Sequence, residues 1–121
     1  MPLSVLVVDD DAGFRRVVRR LLSKRGLVVV ADVDSGEAAI EAVRCHRPDG
    51  VLLDVNLRDH DGLWVTRALV GRSDGPLIVL TSMDAFRDSG AMLVASGARA
   101  FVAKEMLVEA DLVGLFSPAG T

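Results

Sequence analysis

Polar side chains suited to holding a metal ion and a phosphoryl group stand at the ends of four separate apolar runs in this sequence. The runs begin at residues 4, 50, 77 and 99. Each is short and nearly continuous in apolar residues, which is typical of a buried strand in a parallel sheet. The side chains that end them are Asp9 and Asp10, Asp54, Thr81 and Lys104. Because ligands bind outside the carboxyl ends of the strands in an open parallel sheet, we expect these groups to share one site.

The carboxylates of this set predict a divalent cation and a covalent acceptor. Three like charges brought together would force up one or more pKa values. A hard cation such as Mg²⁺ removes that repulsion and prefers oxygen ligands. Asp54 is then a candidate nucleophile, since carboxylates can form aspartyl phosphates. Thr81 or Ser82 could donate a hydrogen bond to a phosphoryl oxygen, and Lys104 could neutralise another.

Each of these residues also has a plainer interpretation. The acidic run Asp9-Asp10-Asp11 could simply cap the first helix, and Asp11 is expected to do so. A hydroxyl at a strand end and a surface lysine are both common. The placement of all these groups at strand ends favours a shared site. His46 and His60 have no second histidine or cysteine at ligand spacing, so no metal site is assigned to them.

Strand-like and helix-like segments alternate five times along the chain. The predicted strands cover residues 4–9, 27–32, 50–54, 77–81 and 99–103. The predicted helices cover residues 12–25, a segment from a cap at Asp34 or Ser35 to about His46, and residues 62–71, 85–96 and 106–116. Gly26 stands where the first helix should end. Alternating units of this kind predict an α/β domain, with a parallel sheet covered by helices on both faces.

The composition fits one ordinary globular domain. The chain has 121 residues, 50% of them hydrophobic, and a net charge of −3. We expect residues 1–116 to form the domain and residues 117–121 a tail or the start of a linker. The charge is unlike that of a nucleic-acid binder. No apolar run approaches the roughly 20 residues needed to span a bilayer, and no signal peptide is evident, so a cytoplasmic protein without a membrane partner is expected.

Six short motifs resemble those of the receiver domains of two-component response regulators, over residues 3–116. They are Val-Leu-Val-Val-Asp-Asp (5–10), Pro-Asp-Gly-Val-Leu-Leu-Asp (48–54), Asp-Gly (61–62), Val-Leu-Thr-Ser (79–82), Ser-Gly-Ala-Arg-Ala-Phe (96–101) and Val-Ala-Lys (102–104). The resemblance implies a flavodoxin-like (βα)₅ fold, a three-layer sandwich whose five-stranded parallel sheet has the order 2-1-3-4-5.

The resemblance also implies a role for each candidate residue. Asp54 would accept a phosphoryl group from a histidine kinase or a phosphotransfer protein, and the domain would catalyse only its own phosphorylation and dephosphorylation. The implied Mg²⁺ ligands are Asp10, Asp54, the backbone carbonyl of Asn56 and, largely through water, Asp9. Thr81 and Lys104 would contact the phosphoryl group. Thr81 and Phe101 would form the switch that follows phosphorylation.

Three residues depart from the family's usual pattern. Glu105 follows Lys104 where the family usually has a proline after a cis peptide bond. A cis bond to a residue other than proline costs about 3 kcal/mol, so a trans bond and a different loop are expected. Arg58 replaces a usual proline four residues after Asp54, so loop 55–61 is expected to be more mobile and locally more positive. Phe101 has no hydroxyl, so a switch there can act only through packing.

Two other functions remain open on the sequence alone. One is a receiver-like interaction module that works without phosphorylation, against which the intact acceptor and metal residues argue. The other is a haloacid-dehalogenase-like phosphotransferase, whose acidic, hydroxyl and lysine motifs are mimicked by Asp9-x-Asp11, Thr81 and Lys104. Such enzymes need a larger core domain, and no second acidic pair follows Lys104.

The face formed by residues 85–116 is expected to be the output surface, for self-association or for a downstream protein. Ser89-Gly90 weakens the predicted helix at 85–96, and mobile elements come from the less stable parts of a fold. The predicted last helix carries more apolar positions than one buried stripe requires, which favours an exposed interface. The alternative is a fully packed last helix with Phe116 folded beneath it.

Overall fold

The structure is a computed structural model and describes residues 2–70, 75–83 and 96–118. Its strands are β1 (Ser4–Val8), β2 (Val28–Val33), β3 (Gly50–Asp54), β4 (Leu77–Ser82) and β5 (Ala100–Ala103). Its helices are α1 (Ala12–Lys24), α2 (Gly36–His46), α3 (Gly62–Val70) and α4 (Leu112–Leu115), with a 3₁₀ turn at Lys104–Met106. The helix predicted at 85–96 falls almost wholly outside the described residues.

The five strands form one parallel sheet in the order β2-β1-β3-β4-β5. The flavodoxin-like order predicted from the sequence is therefore confirmed. Strand β3 lies at the centre, and all five of its residues are buried. Because β1 and β4 flank β3, the carboxyl ends of these three strands meet at one edge of the sheet. None of the described helices is long and apolar enough to cross a membrane.

Alternate side chains of the strands point to opposite faces of the sheet and build two hydrophobic layers. One layer joins strand residues such as Leu6, Leu53 and Leu80 to α2 and α3. The other joins residues such as Val7 and Leu52 to α1 and to the segment after β5. The apolar strand sequences are explained by this burial on both faces.

The helix ends follow the predicted signals. Asp11 caps α1, and its side chain accepts hydrogen bonds from the backbone N–H groups of Gly13 and Phe14. Ser35, rather than Asp34, caps α2 and accepts from the N–H of Ala38. Gly26 follows α1 with φ +86°, a left-handed conformation that favours glycine. Strand and helix boundaries differ from the predicted ones by one residue at several ends.

The continuous last helix predicted at 106–116 is wrong. After the 3₁₀ turn the chain passes through turns, and α4 contains a single helical turn, which the side chain of Asp111 caps. The Arg25 guanidinium, at the end of α1, donates hydrogen bonds to the carbonyls of Val108 and Ala110. In a continuous helix the Leu112 N–H would donate to the Val108 carbonyl, four residues back. It donates instead to the Ala110 carbonyl at 3.0 Å, so the helical hydrogen-bond pattern is broken here.

Phe116 settles how the C-terminal segment packs. Its side chain is fully buried and stands over Gly50, where an added Cβ would lie only 2.1 Å from Phe116 Cδ1. Leu107 and Leu112 are buried as well, whereas Met106, Val108 and Val113 remain exposed. The alternative with Phe116 folded beneath the segment is thus correct for that residue, and a smaller apolar surface remains outside.

At the opposite edge of the sheet, Ser4 and Asp49 join the amino ends of two central strands. The Asp49 carboxylate accepts from the backbone N–H of Ser4 at 2.8 Å and from its hydroxyl at 3.1 Å. The N–H of Asp49 donates in return to Ser4 Oγ at 3.0 Å. The Asp49 carbonyl also accepts from the N–H of Leu77, at the start of β4. One residue therefore connects the starts of β1, β3 and β4.

Candidate functional site

Three carboxylates gather at the carboxyl edge of the sheet because β1 and β3 are neighbours. Asp9 and Asp10 follow β1, and Asp54 ends β3. Each of the three offers one oxygen, and these oxygens all lie within 4.8 Å of one another. Asp9 and Asp54 are buried, whereas Asp10 is half-buried. The clustering predicted from the sequence is present.

Lys104 reaches this group from the end of β5. Its Nζ lies 2.6 Å from Asp9 Oδ2 and 3.4 Å from Asp54 Oδ2, and its side chain is only 8% exposed. The ammonium also lies over the ring of Phe14, 4.2 Å from the ring centre, a favourable cation–π position. The shorter contact is to Asp9, so the lysine mainly neutralises that carboxylate and bridges it to Asp54.

Burial and charge shift the protonation of this pair. The pKa of Asp54 is raised, chiefly by desolvation and further by the charge of Asp9, against the lowering effects of the Asn56 N–H and Lys104. Burial acts to lower the pKa of Lys104, but its bonds to Asp9 and the charge of Asp54 outweigh that effect and raise it. The environment therefore favours the charged form of Lys104 and disfavours the charged form of Asp54.

Thr81 lies opposite Asp54 in the register of β3 and β4. Its hydroxyl is buried, and Thr81 Oγ1 has no hydrogen-bond partner anywhere in the described part of the chain. Buried hydroxyls normally have partners, so this donor is available for a ligand. The N–H of Asn56 donates to Asp54 Oδ1 at 3.1 Å. This bond brings the start of the following loop close to the Asp54 carboxylate.

The three departures from the family pattern have distinct outcomes. No peptide bond in the described residues is cis, so the bond between Lys104 and Glu105 is trans and opens the 3₁₀ turn. Arg58 places its Nε 3.7 Å from Asp10 Oδ2, although its side chain is 86% exposed. Phe101 is half-buried and packs against the layer that contains Leu80. The trans bond and the charge that Arg58 brings to the loop fit the sequence expectations, while the mobility of loop 55–61 and the role of Phe101 as a switch stay predictions.

Sequence reasoning missed the contribution of Arg15. Arg15 Nη1 donates to the carbonyl of Asp9 at 2.7 Å, and its Nε donates to Asp32 Oδ1 at 3.0 Å. Arg19 also pairs with Asp32. No local signal predicts these bonds, since they depend on β2 lying beside β1. Arg15 therefore fixes the backbone that carries the acidic pair.

The donor set fits a hard divalent cation. All the gathered ligand atoms are oxygens, which Mg²⁺ prefers. Among the described residues, the ion pairs made to the three carboxylates come from Lys104 and from the exposed Arg58. A buried negative charge and an unpartnered Thr81 hydroxyl remain. A bound cation would neutralise the buried negative charge, and an anionic group bound beside it would accept a hydrogen bond from Thr81.

Comparison with known proteins places this geometry in a family. A family model described as the response regulator receiver domain matches residues 5–114. The response regulator MprA of Mycolicibacterium vanbaalenii is 40% identical over 110 residues, which cover 90% of this chain and 47% of the relative. A protein-glutamate methylesterase/protein-glutamine glutaminase of Natronomonas pharaonis is 36% identical over 91 residues, which cover 75% and 25%. The chain thus spans between a quarter and about half the length of these curated relatives.

Solved structures agree with this assignment. The signal receiver domain of NarL from Mycobacterium tuberculosis superposes with a TM-score of 0.82 at 31% identity, covering 97% of this chain and 98% of that one. CheY in the CheX–CheY–BeF₃–Mg²⁺ complex of Borrelia burgdorferi gives a TM-score of 0.84 at 18% identity, covering 98% and 92%, and shares the fold. The sheet order, the family match over residues 5–114 and these relatives together show that the chain belongs to the response regulator receiver domains of two-component signalling.

Proposed function

We propose that this receiver domain accepts a phosphoryl group on Asp54 from a phosphohistidine of a histidine kinase or phosphotransfer protein. One observation carries the proposal. Asp54 ends the central strand, faces Lys104 Nζ at 3.4 Å and shares its edge with two further carboxylates. Residues 1–116 form the proposed domain and residues 117–121 its tail, since Phe116 is the last core residue among those that the structure describes.

In the transfer, an Asp54 carboxylate oxygen attacks the phosphorus of the donor. A new O–P bond forms, the P–N bond breaks, and its electron pair stays on the departing imidazole. Lys104 is positioned to pair with a phosphoryl oxygen in exchange for its present contact with Asp54. Thr81 Oγ1, buried and without a partner among the described residues, is positioned to donate to another. Both residues stabilise the charge that the group brings to the site.

Asp9, Asp10, Asp54 and the backbone carbonyl of Asn56 are the proposed Mg²⁺ ligands, with Asp9 acting largely through water. When bound, Mg²⁺ supplies positive charge that offsets the repulsion between the carboxylates and the incoming phosphoryl oxygens. The residues of the chain orient the acceptor. The Asn56 N–H holds Asp54 Oδ1, and Arg15 holds the Asp9 backbone.

The output surface is proposed to lie within residues 85–116 and to bind a second copy or a downstream protein. Its described part contributes Met106, Val108 and Val113, all exposed apolar residues on one short segment. A cluster of this kind is more typical of an interface than of scattered surface residues. Phosphorylation would act on it through contacts that differ between the two states.

Intact mass spectrometry tests the proposal. The chain is incubated with acetyl phosphate and Mg²⁺, and the parent is expected to gain the mass of one phosphoryl group. Asp54→Asn should gain none, because an amide cannot act as the nucleophile. Asp34→Asn, which alters an exposed carboxylate before α2, is the matched control and should gain as much as the parent. Equal gain by Asp54→Asn would refute the assignment, and no gain by the parent would favour an interaction module that works without phosphorylation.

A further inference from the structure

The loop between β3 and α3, residues 55–61, contains the Asn56 carbonyl and is largely exposed to solvent. Asn56, Arg58 and Asp59 are all exposed. Within the loop, Asn56 and Asp61 form an isolated bridge, and the N–H of Gly62 donates to the Val55 carbonyl at 2.7 Å. These bonds close the loop on itself. They do not attach its outer part to the rest of the domain.

Leu57 packs against the core and Arg58 lies 3.7 Å from Asp10, while Asp59 attaches the outer part of the loop by hydrogen bonds to the start of a different helix. Asp59 Oδ1 accepts from the N–H of Gly36 at 2.8 Å, and Oδ2 accepts from the N–H of Glu37 at 3.0 Å. Both donors lie in the first turn of α2, where N–H groups have no partner within the helix. Ser35 already caps this helix through the N–H of Ala38. The carboxylate therefore satisfies donors that the helix's own cap leaves open.

The charged form of Asp59 makes these bonds. Slight burial acts to raise its pKa, but the backbone N–H groups of Gly36, Glu37 and His60 outweigh that effect and lower the pKa. The N–H of His60 donates to Oδ1 at 2.9 Å. A carboxylate that accepts several backbone N–H groups at a helix start is favoured both by the hydrogen bonds and by the helix dipole.

His60 adds a second contact between the loop and both neighbouring helices. Its Nε2 lies 2.9 Å from Glu37 Oε1 on α2. Its ring stacks on the indole of Trp64 on α3, with ring centres 3.5 Å apart and planes 9° apart. The imidazole is therefore held between a carboxylate and an aromatic face. Sequence reasoning assigned no role to either His60 or Trp64.

Gly36 allows the loop to approach α2 this closely. An added Cβ at Gly36 would lie 2.8 Å from Val65 Cγ2, 3.3 Å from His60 Cβ and 3.4 Å from Asp59 Oδ1. The first of these distances is too short for any side chain. A glycine at the start of α2 is thus required by the neighbouring loop and by α3.

We propose that Asp59 and His60 form a latch that fixes loop 55–61 on the start of α2 and so holds the Asn56 carbonyl at the acidic site. Asp59 is then a positioning residue for the divalent cation, acting through the loop rather than as a ligand. This inference rests on the proposed Mg²⁺ site. With the latch removed, the loop would sample other conformations, and the apparent affinity would fall in proportion to the competent fraction.

The test is a calorimetric titration of the full chain with Mg²⁺ and no phosphoryl donor. Asp59→Ala is expected to bind Mg²⁺ about fivefold more weakly, as for a loop that is competent about a fifth of the time. Ser35→Ala is the matched control. It removes a cap from the same helix start, at a similar cost in stability, without touching the loop, and its affinity should stay within about twofold of the parent's.

Asp59→Asn separates the latch from a simple effect of charge. The amide loses the negative charge but keeps one oxygen that can accept from Gly36 and His60. The latch predicts an affinity between those of the parent and Asp59→Ala. An Asp59→Asn affinity as low as that of Asp59→Ala would mean that charge alone acts and would overturn the proposal. Parental affinity in Asp59→Ala, or an equal loss in Ser35→Ala, would overturn it as well.

Amide hydrogen exchange provides a readout that does not depend on the metal. Asp59→Ala should exchange faster than the parent at Asn56 and across residues 55–61, whereas Ser35→Ala should not. If Asp59→Ala exchanged this loop's amides as slowly as the parent, the latch would be refuted. If the parent shows the latch by exchange but binds no Mg²⁺, the proposed metal site fails instead, and with it the positioning role assigned to Asp59.

Discussion

Asp54 is a residue whose proposed function opposes the stability of the fold. Desolvation and the neighbouring Asp9 disfavour its charged form and raise its pKa, and Lys104 only partly offsets them. A carboxylate in this state destabilises the metal-free domain. The same charge and position suit Asp54 to its proposed role as phosphoryl acceptor. Groups that function in a site often lower the stability of the fold in this way.

In the absence of metal, Asp54→Asn is therefore expected to raise the free energy of unfolding at pH 7. Lys104 keeps its 2.6 Å contact with Asp9, so the substitution leaves no ammonium unpaired. Chemical denaturation measures the change. The control is Asp34→Asn, an exposed position that should shift stability little. A less stable Asp54→Asn variant would show that the Asp54 carboxylate contributes more than its burial costs.

The pH dependence has a defined sign. Because the folded pKa of Asp54 lies above its ordinary value, the folded chain binds more protons than the unfolded chain between the two values. This residue's contribution to the free energy of unfolding therefore falls as pH rises through that interval, which begins near the ordinary value of about 3.9. Across that interval the free energy of unfolding of Asp54→Asn should fall less, or rise more, with pH than that of the parent. The same slope in both proteins would contradict the assigned shift.

At the scale of elements, strands were predicted well because their signal is local. A continuous apolar run flanked by turn residues can be recognised without knowing its neighbours, and the carboxyl ends of parallel strands must meet at one edge. This explains why the clustering of Asp9, Asp10 and Asp54 was predictable. Caps such as Asp11 and Ser35 are also local, and the structure agrees with both.

The last helix could not be predicted in the same way. Its interruption is accompanied by hydrogen bonds from Arg25, which lies 83 and 85 residues from the two carbonyls it binds. Gly114 and Asp111 are local signals of a break that the prediction, based on apolar spacing, did not use. The latch residue Asp59 was missed for a similar reason, since its partners Gly36 and Glu37 are 23 and 22 residues away.

The junction between β3 and the C-terminal segment gives a prediction at this scale. Gly50→Ala would place a methyl group against the Phe116 ring and should cost about 1–3 kcal/mol of unfolding free energy. Combining it with Phe116→Leu should cost less than the sum of the two single changes, by about 1 kcal/mol, because the smaller side chain leaves room. Urea denaturation of the four proteins measures this coupling.

Val17→Ala is the control for this cycle, because Val17 lies exposed on α1. Gly50→Ala and Val17→Ala should be additive within about 0.5 kcal/mol. Additivity between Gly50→Ala and Phe116→Leu as well would mean that the ring moves aside without cost and that the two residues do not pack as described.

At the scale of the whole molecule, the proposed output surface predicts self-association on activation. In the presence of beryllofluoride, a phosphate mimic, and Mg²⁺, the mass measured by light scattering should approach that of a dimer. Val108→Lys should weaken this association, because it places a charge in the apolar segment. Val17→Lys is a matched control, since both valines are 65% exposed and Val17 lies on α1. An unchanged mass on activation, or equal effects of the two lysines, would contradict a dimer through this surface.

The hydrogen bonds between Ser4 and Asp49 fasten the amino edge of the sheet, opposite the edge that carries the acidic site. Asp49 ties the starts of β1, β3 and β4 together, and these hydrogen bonds oppose sliding or spreading of the three strands at their amino ends. Asp54 lies five residues further along, at the carboxyl end of β3. We therefore expect a change of charge at Asp54 to displace the loops of the carboxyl edge and to leave the amino edge in place.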